Sequence, residues 1–307
     1  MGDILVNKLK NRLNGVFTFL VTPFKPDNVM ELDLEGLKRN VRYLRGSGIH
    51  ALVPCGGTGE IYSLTSEEIK SLIKVVANEK DDALLVPGVP PGFKNAVEIA
   101  RYAEDVGADA VLVFPPETTA ASEDGLYRYY KVIADAVNIG VMPYVTGSLA
   151  TALTKNPSFI QKFLEIENVV AFKYESSDLW TLGELMHFSK DKVSWICGPN
   201  FSSRVTECYF RLGVQGFTDG ISNFIPQLPV ALYKSAVEGN WEEFKEVEER
   251  LARITELRRK AGSTAFLKAA LDMMRLAGGP VRPPLQPMSE EYKRPLEDML
   301  RELKVLR

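Results

Sequence analysis

Residues 169–174 have the sequence Val-Val-Ala-Phe-Lys-Tyr, a short apolar run that contains one cation, Lys173. Such a run is typical of a parallel strand that is covered on both faces. An ammonium group near the carboxyl end of such a strand costs free energy unless it is paired with an acid or loses its proton. A lysine whose pKa is lowered in this way can attack carbonyl groups. Considered alone, Lys173 is better explained by surface exposure or by an ion pair with Glu175 or Asp178, because structural ion pairs also perturb pKa values.

Seven further strand-like runs alternate with amphipathic stretches along the chain. The eight predicted strands are Gly15–Phe24, Ala51–Gly56, Ala83–Val89, Ala110–Pro116, Ile139–Tyr144, Val169–Tyr174, Ser194–Asn200 and Gly216–Ser222. Leu37, Val41 and Leu44 share one face of the helix predicted between the first two strands, and Ser66 is predicted to cap the next helix. Eight strand–helix units with short connections favour an α/β protein with a (β/α)8 barrel, or TIM barrel. A doubly wound open sheet is the alternative, because periodicity does not show closure.

The chain changes character after Gly239. From Trp241 onward it is charged and helical in pattern, with turn signals at Gly278–Pro280 and at Pro283-Pro284. We therefore predict a barrel over residues 1–239 and a C-terminal helical extension over residues 240–307.

Composition limits the chemistry that this chain of 307 residues can perform. A net charge of -3 favours neither nucleic acid nor a membrane surface as partner, and no apolar run is long enough to span a bilayer. Cys55, Cys197 and Cys208 lack metal-type spacing, which is typical of reduced thiols in a cytoplasmic protein. His50 and His187 are too few for a multi-histidine metal site. The expected reactive groups are therefore lysine, tyrosine, hydroxyl and carboxylate side chains, with no metal.

Two other strand ends carry candidate site residues, because the working end of a (β/α)8 barrel lies at the carboxyl ends of its strands. After the second strand, Gly56–Glu60 has the sequence Gly-Gly-Thr-Gly-Glu. We expect the N–H of Gly57 and the hydroxyl of Thr58 to bind an anion, although glycine turns are common without any ligand. The fifth strand ends in Tyr144, in a position where a phenol more often packs than catalyses.

The eighth strand runs into a polar segment in which Ser222 and Asn223 are predicted to bind ligand hydroxyl groups, unless it is a solvated loop. An amine, a phenol and an anion-binding turn at one barrel end suit Schiff-base chemistry. Lys173 would attack the ketone of a 2-oxo acid, and Tyr144 would transfer protons. The glycine turn would hold the substrate carboxylate, and neither a metal nor a nucleotide cofactor is needed.

These same residues carry a family resemblance that covers about residues 15–300. Gly56–Glu60 followed by Tyr62–Thr65 resembles the signature of the dihydrodipicolinate synthase/N-acetylneuraminate lyase superfamily. Lys173, after a phenylalanine, is similar to its Schiff-base lysine, and Tyr144 to its strand-five tyrosine. The resemblance implies a class I lyase acting on a small 2-oxo acid or sugar acid, a barrel with C-terminal helices, and a homotetramer.

Within the superfamily, the chain most resembles the 5-dehydro-4-deoxyglucarate dehydratases, which dehydrate and decarboxylate a sugar diacid through the lysine imine. The resembling segments are Gly56–Leu64, Ala121–Gly125, Ile139–Val141, Asn223–Pro226, Arg259–Gly262 and Gly279–Arg282. Carried over by position, Lys173 would form the imine and Tyr144 would be the acid/base. Gly57 and Thr58 would hold the 1-carboxylate.

The chain also departs from its relatives around the site. The dehydratases usually have Asn-Arg after the tyrosine and Asp-Gly after the lysine, whereas this chain has Val145–Ser148 and Tyr174-Glu175. An arginine that could bind the distal carboxylate of the substrate is thus missing after Tyr144. Dihydrodipicolinate synthases also have an arginine after this tyrosine, and they have a Tyr-Tyr pair after strand four, where this chain has Pro116-Glu117.

A 2-keto-3-deoxy sugar acid aldolase and a non-catalytic sugar-acid-binding barrel are further alternatives. Whether Glu117 or Glu175 replaces a missing proton carrier stays open.

Overall fold

The computed structural model describes residues 9–118, 121–198, 201 and 205–306. Its parallel barrel strands, numbered first to eighth, are Gly15–Phe19, Ala51–Val53, Leu84–Leu85 with Gly88–Val89, Ala110–Val113, Gly140–Val145, Ala171–Tyr174, Ser194–Cys197 and Gly216–Asp219. Pro199 and Asn200, which were predicted to end the seventh strand, lie outside the described residues.

The third strand closes the barrel. It has two short segments around Pro87, of which the first pairs with the second strand and the other pairs with the fourth. Backbone hydrogen bonds continue across the break on both sides: the N–H of Gly88 donates to the Pro54 carbonyl at 2.9 Å, and the N–H of Leu112 donates to the Pro87 carbonyl at 2.9 Å. The ladder therefore runs around a closed ring, and the predicted (β/α)8 barrel is confirmed.

Five strands, the first, second, fourth, seventh and eighth, end earlier than the apolar pattern predicts. The first ends at Phe19 rather than at Phe24, and the eighth ends at Asp219. The reason is that Val21 and Ile221, beyond these ends, are buried in the cluster that the C-terminal helices cover. Apolar side chains are needed there for packing, although the strand ladder has already ended.

Helices cover the outside of the barrel. They are Leu34–Leu44, Ser66–Glu79, Phe93–Asp105, Glu123–Asp135, Gly147–Lys155, Ile160–Phe163, Leu179–Ser189, Thr206–Leu212 and Gln227–Glu238. The predicted face of Leu37, Val41 and Leu44 is buried. The cap predicted at Ser66 is wrong by one residue. Thr65 is the cap, because its hydroxyl accepts from the N–H of Glu68 at 3.2 Å while the Glu68 carboxylate accepts from the N–H of Thr65 at 2.9 Å.

Three more helices follow the barrel: Trp241–Ala261, Ser263–Met273 and Lys293–Glu302. Gly239 ends the preceding helix with φ of 71°, a left-handed conformation that favours glycine. Phe244 and Phe266 of the extension are buried in one cluster with Val16 and Phe217 of the first and eighth strands. The extension therefore packs directly on these two strands. In the described part of the chain, no helix is long and apolar enough to cross a membrane.

Candidate active site

Lys173 lies inside the mouth of the barrel. Side chains alternate along a strand, so Lys173 shares the inner face with Ala171, whereas Phe172 and Tyr174 pack in the outer cluster. Its side chain is only 4% exposed. Burial lowers the pKa of Lys173 well below its ordinary value, because a poorly solvated site penalises the ammonium form. The neutral amine is therefore available at a lower pH than in an exposed lysine.

Tyr144 is the direct neighbour of Lys173 across the sheet. The two residues are paired in register between the fifth and sixth strands. The lysine Nζ lies 3.7 Å from the centroid of the Tyr144 ring and 4.6 Å from that of the Phe19 ring. Gly56 permits this arrangement, because a Cβ at that position would lie 2.5 Å from the Phe19 ring. The structure thus brings together the amine and the phenol that the sequence selects.

Glu175 joins these two groups. Its Oε2 lies 2.5 Å from Nζ of Lys173 and also accepts a hydrogen bond from the Tyr144 hydroxyl. Loss of hydration beside the surrounding protein raises the pKa of the Glu175 carboxyl group, and the positive charge of Arg258 opposes this shift. A raised carboxyl pKa and a lowered lysine pKa both favour a neutral amine beside a protonated acid. Three groups that meet at one oxygen are well placed to transfer protons.

Glu117, the other acid considered as a proton carrier, lies elsewhere. It borders a groove of about 700 Å³ together with Thr146 and Ser148. Lys173 and Glu175 instead line a cavity of about 120 Å³. This smaller cavity suits a short acid rather than a nucleotide, since pockets for larger ligands are several hundred Å³. Size alone does not identify the site here, because the larger grooves lack the reactive lysine.

The glycine turn borders the same cavity. Thr58 lines it beside Lys173, and the preceding residue, Gly57, is exposed. The N–H groups of Gly57 and Thr58 have no acceptor among the described residues. The turn is flanked by two non-glycine residues with left-handed backbones, Cys55 with φ of 58° and Glu60 with φ of 57°. Such conformations cost energy and concentrate at functional sites, and here they leave two donors free for an anion.

Ser222 and Asn223 have a different place from the one predicted. Both are buried, and neither lines the cavity. The N–H of Ser222 donates to Oδ2 of Asp219 at 2.6 Å. The Asn223 side chain donates to the Phe19 carbonyl at 2.7 Å and accepts from the N–H of Val21 at 3.2 Å. These bonds tie the end of the eighth strand to the first, and they occupy the polar atoms that were expected to meet a ligand.

Arg258 also lines the cavity, and the sequence analysis did not identify it. It is carried by the helix Trp241–Ala261. Val247, Leu251 and Ile254 form the buried face of that helix, and Arg258 continues their three- and four-residue spacing. A cation in line with the buried apolar residues of this helix is the sequence signal that could have identified it.

Comparison with known proteins decides the family. Residues 12–303 match the Dihydrodipicolinate synthetase family. The chain belongs to this family. It is accordingly a class I lyase of the Schiff-base type, and the substrates of the family are small 2-oxo acids.

Members of this family with two different activities are similar to the chain. It is 31% identical over 286 residues to the 4-hydroxy-tetrahydrodipicolinate synthase of Methanothrix thermoacetophila, which covers 93% of this chain and 95% of that one. It is 28% identical over 301 residues to the probable 5-dehydro-4-deoxyglucarate dehydratase of Bacillus licheniformis, covering 96% of each chain. The crystal structure of dihydrodipicolinate synthase from Oceanobacillus iheyensis superposes with a TM-score of 0.87 at 27% identity, covering 97% of this chain and 99% of that one. Identity alone therefore does not choose between the two activities.

Proposed function

We propose that this family member is a dehydratase that forms an imine between Lys173 and a 2-oxo sugar diacid of the 5-dehydro-4-deoxyglucarate type. The observation that carries the proposal is the meeting of the Lys173 amine and the Tyr144 hydroxyl at one oxygen of Glu175. A nucleophilic amine with an adjacent acid and base is what imine formation requires. The resemblance of several separate segments to the dehydratases supports this substrate class.

In the proposed reaction, neutral Lys173 adds to the ketone carbon, and the carbinolamine loses water after taking a proton from Glu175. The Glu175 carboxylate then removes a proton from the CH2 group next to the iminium, which leaves an enamine. The enamine electrons expel the hydroxyl group of the next carbon, and Tyr144 donates the proton that makes it water. CO2 then leaves from the distal carboxylate, and the electron pair of the broken C–C bond passes through the new double bond to the iminium nitrogen. Protonation of the resulting dienamine, followed by hydrolysis, frees the lysine. The net change is loss of one water and one CO2, because the water released on imine formation returns on hydrolysis.

The glycine turn would hold the carboxylate beside the ketone. Thr58 lines the cavity, and the N–H groups of Gly57 and Thr58 have no acceptor among the described residues. Hydrogen bonds from such donors to a carboxylate are strong. Fixing this end of the substrate would set the ketone carbon within reach of the Lys173 amine.

A second candidate is 4-hydroxy-tetrahydrodipicolinate synthase, which the similarity to the Methanothrix thermoacetophila enzyme favours. Pro116-Glu117, in place of the tyrosine pair of the synthases, and the lack of an arginine after Tyr144 speak against it. A 2-keto-3-deoxy sugar acid aldolase would use the same imine and differs only in the bond that breaks.

Borohydride trapping tests the imine. The protein is incubated with pyruvate or with 5-dehydro-4-deoxyglucarate, reduced with borohydride, and weighed intact by mass spectrometry. We expect one adduct per chain, lost in Lys173→Ala and kept in Lys162→Ala, whose lysine is exposed. Absence of an adduct with both acids in the wild type would contradict the proposal.

The products then distinguish the activities. CO2 released from 5-dehydro-4-deoxyglucarate identifies the dehydratase. Pyruvate released from 2-keto-3-deoxygluconate identifies the aldolase, and pyruvate consumed only together with aspartate semialdehyde identifies the synthase. Either of the last two results would replace the proposed activity while keeping the lysine imine.

A further inference from the structure

Arg258 is a cation in the wall of the active-site cavity. Its Nε donates to the carbonyl of Ser263 at 3.3 Å. For its two terminal nitrogens, no hydrogen bond or ion pair is found with any residue that the structure describes. Most partly buried guanidinium groups are paired, because an isolated charge in such a place is costly. The four terminal N–H donors of Arg258 are therefore available to a ligand.

The two carboxylates that interact electrostatically with Arg258 have other hydrogen-bond partners. Asp219 and Glu175 oppose the lowering of the arginine pKa that burial causes, but neither forms an ion pair with it. The Asp219 carboxylate accepts from the N–H of Ser222 at 2.6 Å, and Glu175 is held by Lys173. Guanidinium groups are not deprotonated in proteins, so Arg258 stays a cation.

Because Gly220 has no side chain, the guanidinium group of Arg258 fits beside it. A Cβ at this position would lie 3.2 Å from both terminal nitrogens of Arg258, and 2.8 Å from a Leu267 methyl group. The glycine after the eighth strand thus lets the arginine, which comes from the C-terminal extension, lie close over the end of that strand. Thr58, beside the second strand, lines the same cavity. Two separate anion-binding groups therefore border the space around Lys173.

We propose that Arg258 binds the distal carboxylate of the substrate and makes this site selective for 2-oxo diacids over 2-oxo monoacids. The inference rests on the proposed function, in which Lys173 forms the imine and the glycine turn holds the carboxylate beside the ketone. A planar guanidinium binds a carboxylate through two parallel hydrogen bonds, which a lysine does not reproduce. The C-terminal helix thus supplies the arginine that is missing after Tyr144.

A matched pair of substrates isolates the distal carboxylate. 2-Oxohexanedioate and 2-oxohexanoate have the same length and the same ketone, and they differ in the charge at the far end. The concentration of each that gives half-maximal borohydride trapping is measured for the wild type, Arg258→Met, Arg258→Lys and the control Arg259→Met, whose arginine is exposed. Pyruvate, which has no distal group, is trapped in parallel.

We expect the wild type and Arg259→Met to be trapped by the diacid at a concentration roughly ten- to a hundredfold lower than by the monoacid, from the usual strength of charged hydrogen bonds. Arg258→Met should lose this preference while pyruvate still forms an adduct with Lys173. Arg258→Lys should regain part of it, because it keeps the charge without the planar fork.

Three results would overturn the inference alone, and each includes normal trapping by pyruvate. They are equal affinity of the wild type for the two six-carbon acids, a preference that survives in Arg258→Met, and a loss of preference in Arg259→Met as large as in Arg258→Met. The wild-type comparison stands even where a variant does not fold. If Arg258 only balances the charges of Glu175 and Asp219, Arg258→Met shifts the pH dependence of pyruvate trapping and leaves the preference unchanged. A wild type that is trapped by no 2-oxo acid contradicts the proposed function itself.

Discussion

Nζ of Lys268 lies 2.5 Å from Oε1 of Glu60, and the two side chains are 1% and 0% exposed. The other carboxylate oxygen accepts from the backbone N–H of Arg282 at 2.9 Å. Burial lowers the pKa of Lys268 to about 8 against the attraction of Glu60, so the lysine is still mostly protonated at pH 7. Because Glu60 ends the glycine turn, this buried ion pair fixes the turn to the C-terminal helices.

Removing one partner of this pair should be costly. Lys268→Met leaves the Glu60 charge buried without its partner, and we expect the free energy of unfolding to fall by about 3–5 kcal/mol. Glu60→Gln together with Lys268→Met should recover part of the loss, since no unpaired charge remains. Urea unfolding at pH 7 of the wild type, both single variants and the double variant measures the coupling. Lys260→Met is the control, because its pair with Glu256 is exposed to solvent and should change the free energy of unfolding far less. Simple additivity of the two single losses would show that the pair is not coupled.

Tyr144→Phe tests the phenol while keeping the ring beside the Lys173 amine. If the hydroxyl transfers protons, kcat should fall by about 10²- to 10⁴-fold, whereas the lysine is still trapped by pyruvate and borohydride. Tyr130→Phe is a matched control, since the buried Tyr130 hydroxyl has no hydrogen-bond partner within the described residues. Turnover of Tyr144→Phe at the wild-type rate would remove the tyrosine from the mechanism.

The pH dependence of kcat/KM should report the group of Lys173, Tyr144 and Glu175. The rate rises with pH as the lysine, whose pKa is lowered, loses its proton, and it falls as the acid, whose pKa is raised, loses its own. Because the groups are coupled, the two limbs belong to the cluster rather than to single residues. Glu175→Gln removes the acid whose loss of a proton gives the falling limb. The falling limb should therefore be lost, with a reduced rate. A profile identical to the wild type would contradict this role of Glu175.

The fold and the centre of the site follow from local sequence patterns, but the edges of the site do not. A strand of alternating faces that carries Lys173 inward, and a neighbouring strand that ends in Tyr144, are both visible in the sequence. Glu175 was visible as a charge near the lysine, but its hydrogen bond with the phenol depends on the register of two strands. Arg258 depends on packing between a C-terminal helix and the eighth strand, more than thirty residues earlier in the chain.

Polarity alone also failed to distinguish ligand contacts from internal ones. Ser222 and Asn223 stand in a polar segment, as a binding loop would, yet their side chains satisfy backbone groups that the turn after the eighth strand buries. Buried backbone donors and acceptors need partners, and short polar side chains commonly supply them. Only the three-dimensional structure shows whether such a residue binds a ligand or forms hydrogen bonds with buried backbone groups.

Thr58 offers the sharpest test of the glycine turn. Thr58→Val keeps the shape of the side chain and removes the hydroxyl donor, so the hydrogen bond to the substrate carboxylate would be lost. We expect KM for the 2-oxo acid to rise by roughly tenfold, as one charged hydrogen bond is worth about 1.5 kcal/mol or more. Thr58→Ser keeps the hydroxyl and should stay close to the wild type. Unfolding of Thr58→Val should be unchanged, because its hydroxyl has no partner in the described chain. The expectation is judged from KM for the diacid together with the pyruvate concentration that gives half-maximal borohydride trapping. A rise in both places the hydroxyl at the carboxylate that the two acids share. A rise for the diacid alone would move it to the distal end of the substrate, beside Arg258.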